Sequence, residues 1–167
     1  MNEKTASPLP YTDTKPVGAA DFYFAFSATF RFIERKLGKE GLRRYWRDLG
    51  ARYYAPISAR WQKGGLAAVA DYWRAFFKAE PGAEVEIEQD GDGVTLQVKT
   101  CPIIKHLRDN QRMVLADFCE HCYHVSEAMA APAGLSVRLQ GGNGCCTQRF
   151  SKQPLPPQDF NLITRCS

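Results

Sequence analysis

The residues in this chain best suited to chemistry are thiols. Cys101, Cys119, Cys122 and the adjacent Cys145 and Cys146 fall in the second half of the sequence. His121 and His124 interleave with the middle pair in Cys119-Glu120-His121-Cys122-Tyr123-His124. Thiolates and imidazoles bind soft metals, and a thiolate beside a base attacks electrophilic carbon. The same residues also serve as small buried hydrophobes, because free cysteine is among the most buried residue types.

Helical geometry separates the two residue types. At about 100° per residue, setting Cys119 at zero puts Cys122 near about −60°, His121 near about 200° and His124 near about 140°. On a continuous helix the cysteines share a face with Leu115, Phe118 and Met129, and that face points inward. The histidines share nearly the opposite face with Asp117, with Glu120 nearby, and are expected outside. One ion cannot then take both pairs. Cys101 precedes Pro102, a favourable first helical residue, so it is expected to cap a helix whose dipole lowers a thiol pKa. Cys145 and Cys146 point to opposite faces of a strand. Cys146 shares its face with Phe150 and is expected inward. Cys101, Cys119, Cys122 and Cys146 would form a four-thiolate set suited to zinc or an iron–sulfur cluster. Cys166 lies in a proline-containing tail and reads as incidental.

These residues need elements to position them. Residues 1–18 read as a flexible tail. Phe22, Phe26, Phe30, Ile33 and Leu37 recur at helical spacing over roughly 20–37, until Gly38. A second helix covers roughly 39–54, and a short continuation reaches Gln62 after Pro56. Gly64-Gly65 break the chain before a third helix at about 66–79. The period then changes to two. Val85 and Ile87 alternate with glutamates, Asp90-Gly91-Asp92-Gly93 turns, and Val94, Leu96 and Val98 alternate with polar residues. A short helix from Pro102 and a longer one over about 111–130 follow. Leu135, Val137 and Leu139 form a third strand, Gly141-Gly142-Asn143-Gly144 turns, and residues 145–151 form a fourth. Residues 152–167 read as irregular. The expected class is α+β: residues 19–151 form one domain, with N-terminal helices packed on a four-stranded antiparallel sheet of two hairpins flanking a helix.

Composition narrows the functions. The chain has 167 residues, six cysteines and a formal net charge of +4. No apolar run approaches the ~20 residues that cross a bilayer, and no signal-peptide core follows the start, so a cytoplasmic location is expected. Thiols stay reduced there, which favours metal, catalysis or packing over disulfides. Arg43, Arg44, Arg47, Arg52 and Arg60 alternate with Tyr45, Trp46, Tyr53, Tyr54 and Trp61, but an amphipathic helix gives the same pattern. The small net charge and lack of a nucleic-acid motif argue against nucleic acid as a partner. The expected partner is a small molecule, with no membrane, and a homodimer is left open. There is no Ser-His-Asp arrangement or G-x-S-x-G elbow.

Cys101-Pro102 before a short helix, Cys119 and Cys122, and then Gly144-Cys145-Cys146-Thr147-Gln148-Arg149-Phe150 resemble the L-2-amino-thiazoline-4-carboxylic acid hydrolase-like family. Arg149 and Phe150 fit its final strand and Cys146 takes the cysteine place, whereas Gln148 stands where an aromatic residue is expected. The resemblance covers about residues 84–151. The order of elements is also similar to the ligand-binding fold of the vinyl-reductase domain group. The first resemblance implies hydrolytic opening of a cyclic amidine ring, with Cys101 as nucleophile or displaceable ligand and Arg149 and Tyr123 as substrate contacts. A closed four-cysteine metal has no open position for such a step. The alternative is a non-catalytic module that binds a small molecule, or senses a metal or redox change, through the same thiols.

Overall fold

The computed structural model describes residues 20–167. The expected tail at 1–18 lies outside the described residues. The class is α+β, with four helices and a five-stranded mixed sheet among the described residues. Helix α1, Phe22–Asp48, bends at Gly38 and runs into a π-helical turn at Leu49–Tyr53. Helix α2, Ala55–Ala79, bends at Gly65. At Gly38 and Gly65 the backbone is non-helical, with φ of 69° and 58°, so each glycine ends one helical segment and a second begins across the kink, as the sequence led one to expect.

Strands β1 (Glu84–Gln89) and β2 (Gly93–Thr100) form the first hairpin. Helix α3, Pro102–Asp109, follows at once. Helix α4 is Glu120–Ala130, and β3 (Ser136–Gly142) and β4 (Cys145–Ser151) form the second hairpin. The sheet order is β1-β2-β4-β3-β5. Register sets the inner face: Val94 lies opposite Phe150, Leu96 opposite Gln148 and Val98 opposite Cys146. Period-two alternation puts these residues on one side of the sheet. Aromatic residues of α2 cover this face, with Trp61 and Trp73 ring centroids 5.5 and 5.9 Å from Phe150. Helix α4 is enclosed between α1, α2 and the sheet. A Cβ added at Gly50 would lie 2.5 Å from the Val125 carbonyl oxygen, so the π-helical turn and α4 meet backbone to backbone.

Two expectations need correction. The helix expected at 111–130 starts only at Glu120. In a continuous helix the Ala116 carbonyl would accept from the Glu120 N–H. Instead it accepts from the Cys166 N–H at 2.8 Å, while the Glu120 N–H donates to Asp117. The C-terminal segment is also not irregular throughout. It holds a 3₁₀ turn, Phe160–Leu162, and strand β5, Ile163–Thr164, parallel to β3. The Gln158 amide donates to and accepts from the Leu139 backbone, both at 3.0 Å, like a neighbouring strand residue. A Cβ at Gly142 would lie 2.3 Å from the Thr164 oxygen, so β5 approaches where a side chain is lacking. The expected four antiparallel strands thus become a five-stranded mixed sheet.

Candidate functional site

Three elements bring four thiols to one small cavity of about 30 Å³. Cys101 precedes the first residue of α3, Cys119 precedes α4, Cys122 lies in the first turn of α4, and Cys146 projects from β4. The Cys101 N–H donates to the Gly144 carbonyl at 2.8 Å, which ties the start of α3 to the β3–β4 turn. His121 and Phe118 also line the cavity. Cys145 borders it but is exposed. All six cysteines are free thiols. Among the described residues, no three His, Cys, Asp or Glu side chains are arranged to hold a metal ion.

Burial dominates the acidity of these thiols. It pushes Cys101 up to about 11, and the amides of Ile103 and Ile104 offset only part of this. The lowering expected from its helix N-terminus is therefore reversed, because desolvation of a thiolate outweighs the helix end. Burial likewise pushes Cys122 up to about 12 and raises Cys146, with neighbouring thiols adding to the shift at Cys146. These three are neutral thiols near pH 7.

The histidines are not on a solvated face. His124 is 5% exposed and stacks between Trp46 and Phe160, with centroid distances of 6.0 and 5.4 Å. Burial, aided by Arg47 and Arg43, lowers its pKa to about 4. His121 packs on Phe30 and Phe118, and burial lowers its pKa too. The wheel reading assumed one buried side, but α1 and the C-terminal segment cover the other side of α4. The Phe118 carbonyl, which can only accept, lies 3.0 Å from His121 Nδ1. That contact assigns the proton to Nδ1, and Cys122 Sγ sits beside the ring, 3.6 Å from Nδ1 and 3.9 Å from Nε2, rather than in line with the Nε2 lone pair.

Three of the thiols also form the floor of a larger cavity. Cys101, Cys122, Cys146 and Gln148 lie across from Tyr72, Trp73, Phe76 and Phe77 of α2, around about 140 Å³ of space. Among the described residues, no lysine or arginine lines it. Its one carboxylic acid, Glu80, has a pKa raised by burial and accepts a hydrogen bond from Tyr23. The Trp73 indole N–H is buried without a partner. A neighbouring cleft of about 280 Å³ shares Tyr23, Tyr54, Phe76 and His121 with it. A more open groove of about 320 Å³ between α2 and β1 holds Arg74 and Lys78 but no thiol.

Arg149 and Tyr123 line none of these thiol-bearing spaces. Arg149 projects from the opposite sheet face, where it pairs with Asp90 at 2.9 Å and donates to Thr95 at 2.7 Å. Tyr123 packs edge-on against Phe160 at 5.5 Å. Cys166, dismissed from sequence, is buried with its Sγ 3.6 Å from that of Cys119. Cys119 donation and nearby backbone N–H groups lower the Cys166 pKa, while the shared proton and burial raise that of Cys119. The available signal was the apolar Phe160, Leu162 and Ile163 after the prolines. Cys119 also faces a cleft of about 230 Å³ holding Lys39, Arg43 and Arg165 against Asp117 and Glu120.

Comparison with protein-family models, curated proteins and solved structures found no match for the chain. Among the described residues, no helix is long and apolar enough to cross a membrane.

Proposed function

We propose that the protein binds a small uncharged ring compound carrying a hydrogen-bond acceptor, in the aromatic cavity above Cys101, Cys122 and Cys146. One observation carries this reading. The cavity is walled by aromatic rings, has no cation among the described residues, and counts Trp73, whose buried indole N–H has no partner, among its lining residues. Apolar walls with a few polar groups are the usual make-up of a small-molecule site. A space of about 140 Å³ is close to the ~150 Å³ apolar cavity known to accept a benzene-sized ring. A carboxylate there would lose its hydration with no cation to replace it. That argues against a carboxylated cyclic amidine as the natural ligand.

Titration calorimetry with acetophenone and benzoate, matched in size and differing in charge, tests the proposal. Acetophenone binding with little or no benzoate binding supports it. Equal binding of both, or preference for benzoate, refutes it.

A second reading keeps hydrolysis. It rests on the Cys122–His121 contact, in which Sγ lies 3.6 and 3.9 Å from the two ring nitrogens, so that a turn of the ring would bring the Nε2 lone pair to the thiol. Cys122 would pass its proton to Nε2 as Sγ attacks the ring carbon between nitrogen and sulfur. The ring carbon–sulfur bond would then break, with the leaving sulfur taking the proton back. Water would release the product from Cys122. Cys122 then replaces Cys101 as nucleophile. A zinc ion or iron–sulfur cluster would require Cys101, Cys119, Cys122 and Cys146 to deprotonate and draw together.

A further inference from the structure

We infer that Cys119 and Cys166 form a redox-active dithiol, oxidised by a hydroperoxide to a disulfide that joins the C-terminal strand to the start of α4. This site is separate from the proposed ligand cavity, which neither residue lines. Three observations converge on it. The sulfurs are 3.6 Å apart and both are free thiols. Their backbones are already held together, because the Cys166 N–H donates to Ala116 at 2.8 Å and β5 pairs with β3. The chain end is fixed as well: Arg108 donates to the Asn143 carbonyl at 3.0 Å and to the Ser167 carbonyl at 3.1 Å. Bond formation brings sulfurs already 3.6 Å apart to the ~2.05 Å of a disulfide, between segments whose backbones are tied together.

The setting also suits the chemistry. The Asn143 N–H points at Cys119 Sγ at 3.3 Å, so negative charge arising on the pair has a donor in place. The cleft carries Lys39, Arg43 and Arg165 and gives a water-sized oxidant a route to Cys119, with Cys166 Sγ 3.6 Å beyond the Cys119 sulfur. The other buried thiols lie against aromatic walls without such a cleft.

The reaction balances with hydrogen peroxide as oxidant. The Cys166 thiolate attacks one peroxide oxygen and the O–O bond breaks. Hydroxide leaves and becomes water with the proton Cys166 released on ionising. Cys166 is now a sulfenic acid. Cys119 Sγ attacks that sulfur and loses its proton, and the displaced hydroxide leaves as a second water. Two thiols and one peroxide give one disulfide and two waters.

The experiment treats the full chain with equimolar hydrogen peroxide and then counts alkylatable thiols by intact mass after unfolding. The expected count falls from six to four in the wild type and from five to three in Cys101→Ser, Cys122→Ser and Cys146→Ser. It stays at five in Cys166→Ser, and in Cys119→Ser it falls only to four, with one oxygen added, because Cys166 stops at the sulfenic acid without its resolving thiol. Circular dichroism establishes that each variant is folded. Oxidation should raise the thermal midpoint of the wild type by roughly 5–10 °C, an effect reversed by dithiothreitol. Loss of two thiols in folded Cys166→Ser, or six thiols remaining in treated wild type, would overturn the inference.

Discussion

Two groups of thiols sit on either side of the start of α4, and their surroundings give them different chemistry. Cys101, Cys122 and Cys146 lie under aromatic rings, where burial holds the thiols neutral. Cys119 and Cys166 lie beside a charged cleft and share a proton. Residue type alone does not separate the groups; the dielectric and the available donors do. A neutral thiol in an apolar wall is a soft contact surface, whereas a paired thiol beside cations and amides is a reactive one.

The largest expected effect comes from Phe118, which is 2% exposed and borders both the small thiol cavity and the aromatic cleft. Phe118→Ala should lower unfolding free energy by about 3–5 kcal/mol, measured by urea denaturation. A loss below about 1 kcal/mol would mean that the two groups do not share a packed boundary.

Alkylation should sharpen the contrast next. Near pH 7.5, iodoacetamide should label the Cys119–Cys166 pair at least about tenfold faster than Cys101, Cys122 or Cys146. The rates at the latter three should climb with pH toward their raised pKa values. Exposed Cys145 provides the fast reference. Fastest labelling at Cys122 would reverse the comparison and favour the hydrolytic reading.

A smaller effect concerns pH. The folded pKa of His124, about 4, lies below its ordinary 6.5. Between those values the unfolded chain binds a proton that the native state does not. The stabilising contribution is thus complete above about 6.5 and is lost as pH falls toward about 4. Glu120 lies 4.0 Å from its Nε2, and Arg43 and Arg47 oppose its protonation. Urea midpoints measured from pH 7 to pH 4.5 should fall, and less steeply in His124→Phe. An unchanged slope in that variant would assign the pH effect to other groups.

Much of this arrangement was legible before the structure. Alternation over residues 84–98 and the glycine turn at 141–144 specified two hairpins, but the pairing of Val98 with Cys146 joins one hairpin to the other and does not follow from alternation within either. Periodicity also brought Cys101, Cys119, Cys122 and Cys146 toward one place. It could not show that the Gln158 side chain would act as a strand neighbour, since that contact spans 19 residues. Without that docking, Cys166 looked incidental and the far side of α4 looked solvated, so the histidines were placed outside. The helix start was missed for the same reason, because a distant N–H takes the Ala116 carbonyl. Arg149 was misleading because its motif position says nothing about which sheet face is covered.

The smallest expected effect is at that outer face. Arg149→Ala should cost no more than about 1 kcal/mol and leave acetophenone binding unchanged, because its ion pair with Asp90 is largely exposed. Lost binding in this variant would place the ligand on the other side of the sheet.

If the aromatic cavity above the neutral thiols is a ligand site, acetophenone titrated into isotopically labelled protein should perturb the groups that line it. Nuclear magnetic resonance should then show saturable shifts of the Trp73 indole N–H, the Gln148 side-chain amide and the Ser126 backbone amide. Shifts confined to Arg74 and Lys78 in the outer groove, or no saturable shift at those three groups, would contradict a ligand site there.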